Sequence, residues 1–357
     1  MVDSRSGILT GLCERGVFLG ASDLHVIGDC ESRFRIQGQL SDAGAIVPTS
    51  EVEALLEKGT NEVQRKRFHD VGMTDFALAH DLFGRMRVSL SKAHQGYMLA
   101  MRFLPAEPIP FENLHMPEVI KEFAQKPNGL VLFSGQTGSG KTTLQASLID
   151  HINKTQSRRI ITFEDPIEFE FTSAKSMITQ FEVGQHIASF ADGIRGAMRA
   201  DPEVIVLGEM RDTVTVEAAV SAAESGHLVF GTIHASSPAS FAERMLGFFP
   251  ADRQSLVKIQ LSQCLVGVVG MNLVRKKDGK SRRAAVEILA GNDAVKNIIA
   301  NGDTRSLRNA MVSGRKEGMQ TLETHLNELI RGGVISYEEA ASISHFPSEI
   351  TARTAAA

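Results

Sequence analysis

Leu130–Thr142, LVLFSGQTGSGKT, is the stretch that decides the fold. Four consecutive apolar residues, LVLF, read as a buried strand. Gly135–Thr142, GQTGSGKT, then matches the phosphate-binding pattern G-x-x-x-x-G-K-[ST] in full. The residues that follow, TTLQASLIDHI from Thr142, carry helical apolar spacing. Strand, glycine-rich loop and helix, in that order, aim a row of backbone N–H groups at an anion. Gly135, Gly138 and Gly140 leave room for the backbone to wrap it, and Gln136, Thr137, Ser139 and Thr143 complete the cradle. Lys141 would reach the β- and γ-phosphates and the Thr142 hydroxyl would ligate Mg²⁺, so the expected cofactors are ATP and Mg²⁺.

From Glu118 onward, helix and strand patterns alternate, the signature of a parallel sheet covered on both faces. Strands are expected at Leu130–Phe133, Arg159–Phe163, Val204–Leu207, Leu228–Ile233 and Val266–Val274. After Asn292 the pattern turns helical to about Ser344. Before this region, the first hundred residues read as a small α+β unit. Its strands are expected at 23–27, 32–36, 75–79, 85–90 and 97–104, with a helix over Ser50–Phe68. Between the two lies Leu104–Pro117, LPAEPIPFENLHMP, whose four prolines predict an interdomain linker without a helix. The expected organisation is an amino-terminal domain at 1–104, a linker at 105–117, a P-loop domain at 118–291, a helical region at 292–346 and a tail at 347–357, of which the terminal TARTAAA reads as disordered.

Composition sets limits around this. The 357 residues are 43% hydrophobic and 22% charged, enough to bury a sizeable core. The 38 basic and 42 acidic residues give a net charge of −4, which argues against bulk electrostatic wrapping of nucleic acid. Cys13, Cys30 and Cys264 have neither metal-ligand nor disulfide-framework spacing, so reduced thiols in a cytoplasmic setting are expected. No apolar run approaches the roughly 18 residues of a membrane span. The amino terminus, with Asp3, Arg5 and Glu14, does not have signal-peptide character.

Hydrolysis needs more than a cradle. In Val204–Asp212, VIVLGEMRD, an apolar strand delivers Glu209 to the carboxyl-terminal sheet edge, where water-activating groups of P-loop proteins sit. A surface glutamate capping a strand is the alternative. Ile161–Glu168, ITFEDPIE, brings Glu164 and Asp165 to a second strand end, either as partners of Mg²⁺ or as a solvated acidic turn. Leu228–His234, LVFGTIH, ends in His234, either a packed histidine or a γ-phosphate sensor. Arg85, Arg87 and Arg102 lie on successive strands, Arg85 and Arg87 sharing one face; they form a solvated β surface or a source of positive charge for phosphoryl transfer. Arg195 and Arg199 are expected four apart on one helix. The basic run Arg275–Arg283, RKKDGKSRR, reads as an exposed hairpin or an electrostatic contact with anionic lipid or an acidic partner.

Taken together, these segments resemble the secretion ATPases of type IV pili and of type II and IV secretion, most closely the PilT retraction family. The likeness runs from ASDLHV near the start to GMQTLETHLNELIRGGVISYEEA near the end. GQTGSGKT resembles that family's Walker A, FEDPIE its acidic box, VLGEMRD its Walker B with Glu209, and GTIHAS its histidine box. The resemblance implies a PAS-like amino-terminal domain, a RecA-like motor domain and a helical carboxyl-terminal region. It further implies that Glu209 polarises water, Thr142, Glu164 and Glu209 serve the metal, His234 couples hydrolysis to motion, and Arg87 and Arg102 lean over the nucleotide. A homohexamer, an inner-membrane platform protein as partner, and a peripheral place at the cytoplasmic face of that membrane are implied too; the acidic balance and the lack of a basic, aromatic-laced stripe speak against a nucleic-acid partner. The short chain without a four-cysteine insertion resembles the retraction type. Ala294–Asn301, AVKNIIAN, stands where that type has AIRNLIRE, and a DotB-like secretion or conjugation ATPase shares the size and motifs.

Overall fold

The computed structural model describes residues 7–105, 107–279 and 281–351. The chain divides into two compact units. One comprises Met1–Glu107, Glu164–Phe171 and Phe181–Ala188; the other comprises Pro108–Phe163, Thr172–Gln180 and Ser189–Ala357.

The first unit is built on a six-stranded sheet of β1 (Asp23–Ile27), β2 (Glu31–Ile36), β3 (Gln39–Ile46), β4 (Met73–His80), β5 (Gly84–Ala93) and β6 (Gly96–Phe103), in the order β3-β2-β1-β6-β5-β4. Every neighbouring pair is antiparallel. Alternation decides the faces. On β5, Met86, Val88 and Leu90 are buried, while Arg85 and Arg87 turn to the other side. Helices α1 (Ile8–Phe18), α2 (Thr49–Gly59) and α3 (Glu62–Val71) accompany the sheet, and Leu24, Phe34, Phe68, Phe76 and Met101 join the core. The single helix expected over Ser50–Phe68 is two. Thr60 is extended, and Asn61 starts α3 with a reciprocal capping box to Gln64. β3 escapes the sequence pattern because only Ala43 of its eight residues is buried.

The second unit holds a seven-stranded sheet of β7 (Gly129–Ser134), β8 (Arg159–Glu164), β9 (Met177–Glu182), β10 (Val204–Leu207), β11 (Leu228–Ile233), β12 (Leu265–Arg275) and β13 (Arg282–Ala290), ordered β13-β12-β7-β11-β10-β8-β9. β8, β10, β11, β7 and β12 run parallel, and β13 returns antiparallel to β12. β7, β10 and β11 are buried along their whole length, which explains their unbroken apolar sequence. Around them lie α4 (Phe111–Leu114), α5 (Val119–Ala124), α6 (Lys141–Thr155), α7 (Phe190–Ala197), α8 (Thr213–Glu224), α9 (Phe241–Leu246), α10 (Ala251–Cys264), α11 (Asp293–Asn301), α12 (Leu307–Ser313), α13 (Leu322–Arg331) and α14 (Tyr337–Ile343).

Three expectations are corrected here. The proline-rich segment carries the helical turn α4, whose Phe111 is buried, and Lys121 lies over the Phe111 ring; Ala106 is outside the described residues. α7 ends at Ala197, so Arg199 is not on it, and Arg195 pairs with Asp192. Residues 347–350, expected in a tail, are packed: Ile350 is buried, and Asn327 Nδ2 donates to the Glu349 carbonyl. Residues 352–357 lie outside the described residues.

The carboxyl-terminal helices enclose a charged cluster. Glu287 of β13 and Glu323 of α13 are both buried. Arg308 pairs with Glu323 and Glu349, while Glu287 Oε1 has no hydrogen-bond partner among the described residues. Burial, then the neighbouring Glu323, push the Glu287 carboxyl up to about 8, against the pull of Arg308. His325 Nδ1 accepts from the Val286 N–H, and burial takes that imidazole down to about 4.

Candidate nucleotide site

The parallel register brings several motifs to one edge. Ser134, last in β7, is opposite Ile233 of β11 and Gly270 of β12. Leu207, last in β10, is opposite Gly231 and Phe163. Gly135, Gly208–Glu209 and His234 therefore leave the sheet together at its carboxyl-terminal edge, where open α/β sheets bind ligands.

The loop after β7 demands its glycines. A Cβ on Gly135 would stand 2.6 Å from the Met271 carbonyl oxygen and 2.7 Å from Ser139 Oγ. Gly138 and Gly140 have φ of 78° and 97°, the left-handed region. Lys141 opens α6, and its Nζ donates to the carbonyls of Gly135 and Gln136, 2.8 Å each. Burial lowers its pKa, opposed by the charge of Glu209. Among the described residues the buried Ser139 Oγ has no hydrogen-bond partner, so this polar group of the loop is left open to a ligand. Thr142 and Thr143 are half-buried at the start of α6.

Glu209 is held on both sides by main chain. The Gly208 N–H donates to the Phe163 carbonyl at 2.8 Å, and the Met210 N–H to the Thr232 carbonyl at 2.9 Å. The Thr232 hydroxyl donates to the Gly208 carbonyl. The carboxylate, 17% exposed, meets His234 Nε2 at 2.8 Å through one oxygen and Arg211 through the other. Burial alone would raise its pKa, but Arg211, His234 and Lys141 together outweigh that and lower it. Gln145 Nε2 donates to the Leu207 carbonyl at 3.1 Å, tying α6 to β10 behind this group.

Beyond the loop, a cavity of about 370 Å³ opens between α4, the start of α6 and the β12–β13 hairpin. Thr143, Leu144, Met271 and Leu273 line it, with Leu114 and Met116 opposite. Sequence reasoning missed it. Its signal was the alternation of Met271 and Leu273 along β12, legible only once β12 is known to lie beside β7.

A family model described as "Type II/IV secretion system protein" matches residues 9–351. The chain is 38% identical over 329 residues to the type IV pilus retraction ATPase PilT of Pseudomonas aeruginosa, spanning 92% of this chain and 95% of that one. It belongs to the PilT family of secretion ATPases. The fold agrees. The crystal structure of the pilus retraction motor PilT with bound ADP superposes with a TM-score of 0.87 at 37% identity, over 97% of this chain and 99% of that one. The ATPase DotB of Legionella pneumophila superposes at 0.81 and 26% identity, over 96% and 98%.

Within this PilT-family chain, the P-loop, Lys141, Glu209 and His234 are gathered in one unit. The other expected site residues belong to the first unit. There Arg87 and Arg102 are direct cross-strand partners. Arg102 Nε pairs with Asp23 at 2.9 Å, and both arginines act on Glu168, whose carboxyl burial raises against their pull. Arg85 is committed to Glu170 and donates to the Ile167 carbonyl at 3.0 Å. Glu164 ends β8, its carbonyl accepting from the Val183 N–H at 2.9 Å, and the Asp165–Pro166 peptide bond is cis. Arg211 was the functional neighbour the motif reading passed over, although it lies two residues from Glu209. Among the described residues no group of three His, Cys, Asp or Glu side chains forms a metal cage. A Mg²⁺ ion in P-loop proteins needs none, since it takes its ligands from one hydroxyl, phosphates and waters, and the Thr142 hydroxyl fits that set.

Proposed function

We propose that this chain is a Mg²⁺-dependent ATP hydrolase that drives type IV pilus retraction as a homohexameric motor. The observation that carries the reading is the meeting of Lys141, Glu209 and His234 at one sheet edge behind an intact P-loop. The loop amides and Lys141 bind the triphosphate, Lys141 exchanging two carbonyl acceptors for phosphate oxygens. The adenine lies in the apolar cavity beside Thr143, Met271 and Leu273. Thr142 would hold Mg²⁺, with Glu164 and Glu209 supporting it through water, and the ion would neutralise charge on the phosphates. Glu209 orients the attacking water, its ionised form favoured by Arg211, His234 and Lys141. His234 reads the state of that carboxylate through their hydrogen bond and passes it to α9 by way of the segment Ala235–Ser240. Arg87 and Arg102 contribute positive charge to the transferring phosphoryl group.

The closeness to PilT in sequence and fold supports retraction as the work done. It also supports the expected domains, 1–104 PAS-like and 118–291 RecA-like, and an inner-membrane platform protein as partner. The same closeness supports a peripheral position at the cytoplasmic face of that membrane; no described helix is long and apolar enough to cross a membrane. Counting surface pili and assaying secretion in a strain without this gene, complemented by wild type or by Glu209→Gln, tests the reading. Excess pili and lost motility, rescued only by wild type, are expected. Normal pili with failed secretion would transfer the chain to a DotB-like role, the alternative left open by Ala300 and Asn301, which depart from the retraction-type motif.

A further inference from the structure

The β12–β13 hairpin continues past the nucleotide cavity into its basic tip. A second cavity, about 470 Å³, lies there between His115, Lys276, Lys277, Asp278, Arg283 and the Gly333–Val334 turn. It contains no residue of the P-loop and adjoins the first cavity through His115, Lys276 and Arg283. Main-chain bonds define its walls. The Lys277 N–H donates to the Val334 carbonyl at 3.0 Å, and the Lys276 N–H to the Ser281 carbonyl at 2.9 Å.

Its cationic side chains are not held by the neighbouring carboxylates. Among the described residues, Lys276, Lys277 and Arg283 form no ion pair. The local carboxylates are engaged with main chain and hydroxyls: Asp278 accepts from the Ser281 N–H and Oγ, and Glu339 from the Arg275 N–H at 2.7 Å. Glu338 is fully exposed and takes its own backbone N–H and Ser336 as partners ahead of Lys277. Arg283 donates from Nη2 to the His115 carbonyl at 3.2 Å, but its Nε is buried with no acceptor among the described residues. A guanidinium edge removed from water and left unpaired costs free energy that only an acceptor recovers. His115 has φ 52° and ψ 46° and its side chain is exposed beside the cavity.

We propose that this cavity is a second anion site, separate from the P-loop, that takes the phosphate group of a small phosphorylated ligand. A planar guanidinium, two ammonium groups and an imidazole match a dianion with several acceptor oxygens better than a single carboxylate. At about 470 Å³ the cavity has room for more than the phosphate alone, which fits a phosphomonoester. A soluble metabolite and a lipid headgroup share that chemistry.

The test uses the full chain carrying Lys141→Ala, which disables the P-loop and leaves this site intact. Inorganic phosphate binding is measured by calorimetry, and co-sedimentation with phosphatidylcholine vesicles containing phosphatidic acid is measured in parallel. Phosphate binding that survives Lys141→Ala and weakens about tenfold or more on adding Arg283→Gln or the exposed Lys277→Gln supports a soluble ligand. Vesicle binding lost in the same variants, without free-phosphate binding, supports a headgroup. Binding abolished by Lys141→Ala alone, or indifferent to both hairpin variants, or absent with both probes, overturns the proposal. A Lys141→Ala chain that still binds ATP would instead count against the P-loop assignment, leaving the two outcomes distinct.

Discussion

Replacing Glu287 by glutamine should stabilise the chain, and by an amount that grows with pH. The carboxyl is buried beside Glu323 and its pKa rises from 4.5 to about 8. A group whose folded pKa lies above its unfolded value favours folding most below the unfolded pKa, and that contribution is lost as pH rises toward the folded one. The window is therefore pH 4.5 to 8. The difference, 8 − 4.5, is about 3.5 units at 1.36 kcal/mol each, an upper limit of about 5 kcal/mol above pH 8. Integrated to intermediate pH, the penalty is about 1 kcal/mol at pH 5 and about 3 kcal/mol at pH 7. Glu287→Gln removes the titration and keeps the shape. With no tryptophan in the chain, urea unfolding is followed by far-UV circular dichroism. The stability gap between variant and wild type should widen steadily from pH 5 to 8. A gap that stays constant, or narrows, would refute the reasoning that Glu287 is protonated in the folded chain at neutral pH.

Other expectations are briefer. Glu209→Gln should lower turnover by about 10²–10⁴-fold while leaving ATP affinity within a few-fold, measured by phosphate release and fluorescent-nucleotide binding. Near-normal turnover would remove Glu209 from its role. Thr142→Ala should raise the Mg²⁺ concentration needed for half-maximal hydrolysis by about tenfold, with binding of metal-free nucleotide little changed; an unaltered metal titration would contradict the assignment. Gly270→Val should cost about 1–3 kcal/mol. Its added Cβ would stand 2.6 Å from Pro238 Cδ, a contact the 3₁₀ turn Pro238–Ser240 must yield to. An unchanged melting temperature would mean that the turn moves freely.

Much of the second unit was legible because its strands are buried on both faces and its loop chemistry is strict. LVLF, VIVL and LVFGTI have one reading in a parallel sheet, and GQTGSGKT has one reading after a strand. Elements that draw stability from neighbours were harder. β9, Met177–Glu182, buries only Glu182 fully, and β3 only Ala43, so neither shows a two-residue period. α4 forms after three prolines because Phe111 has a core to enter, which no local propensity records. Within the site, Glu209 and His234 were readable as strand-end residues and Lys141 as the lysine of the P-loop. The contact between Glu209 and His234 and the apolar cavity depend on strand order, which a linear pattern does not contain.

The shared register of β7, β8, β10 and β11 gives the motor a common datum line, and that has a consequence for how such chains tolerate change in length. Each strand residue advances the chain about 3.3 Å and turns the side chain over. Deleting one residue from Val204–Leu207 would draw Glu209 back from His234 by that step and present the opposite face. Inserting several residues in the connections at the far edge, such as that between Glu224 and Leu228, would leave the datum untouched. Lineages that elaborate this scaffold are thus free to add material at one rim of the sheet and are held to residue-by-residue constancy inside its strands.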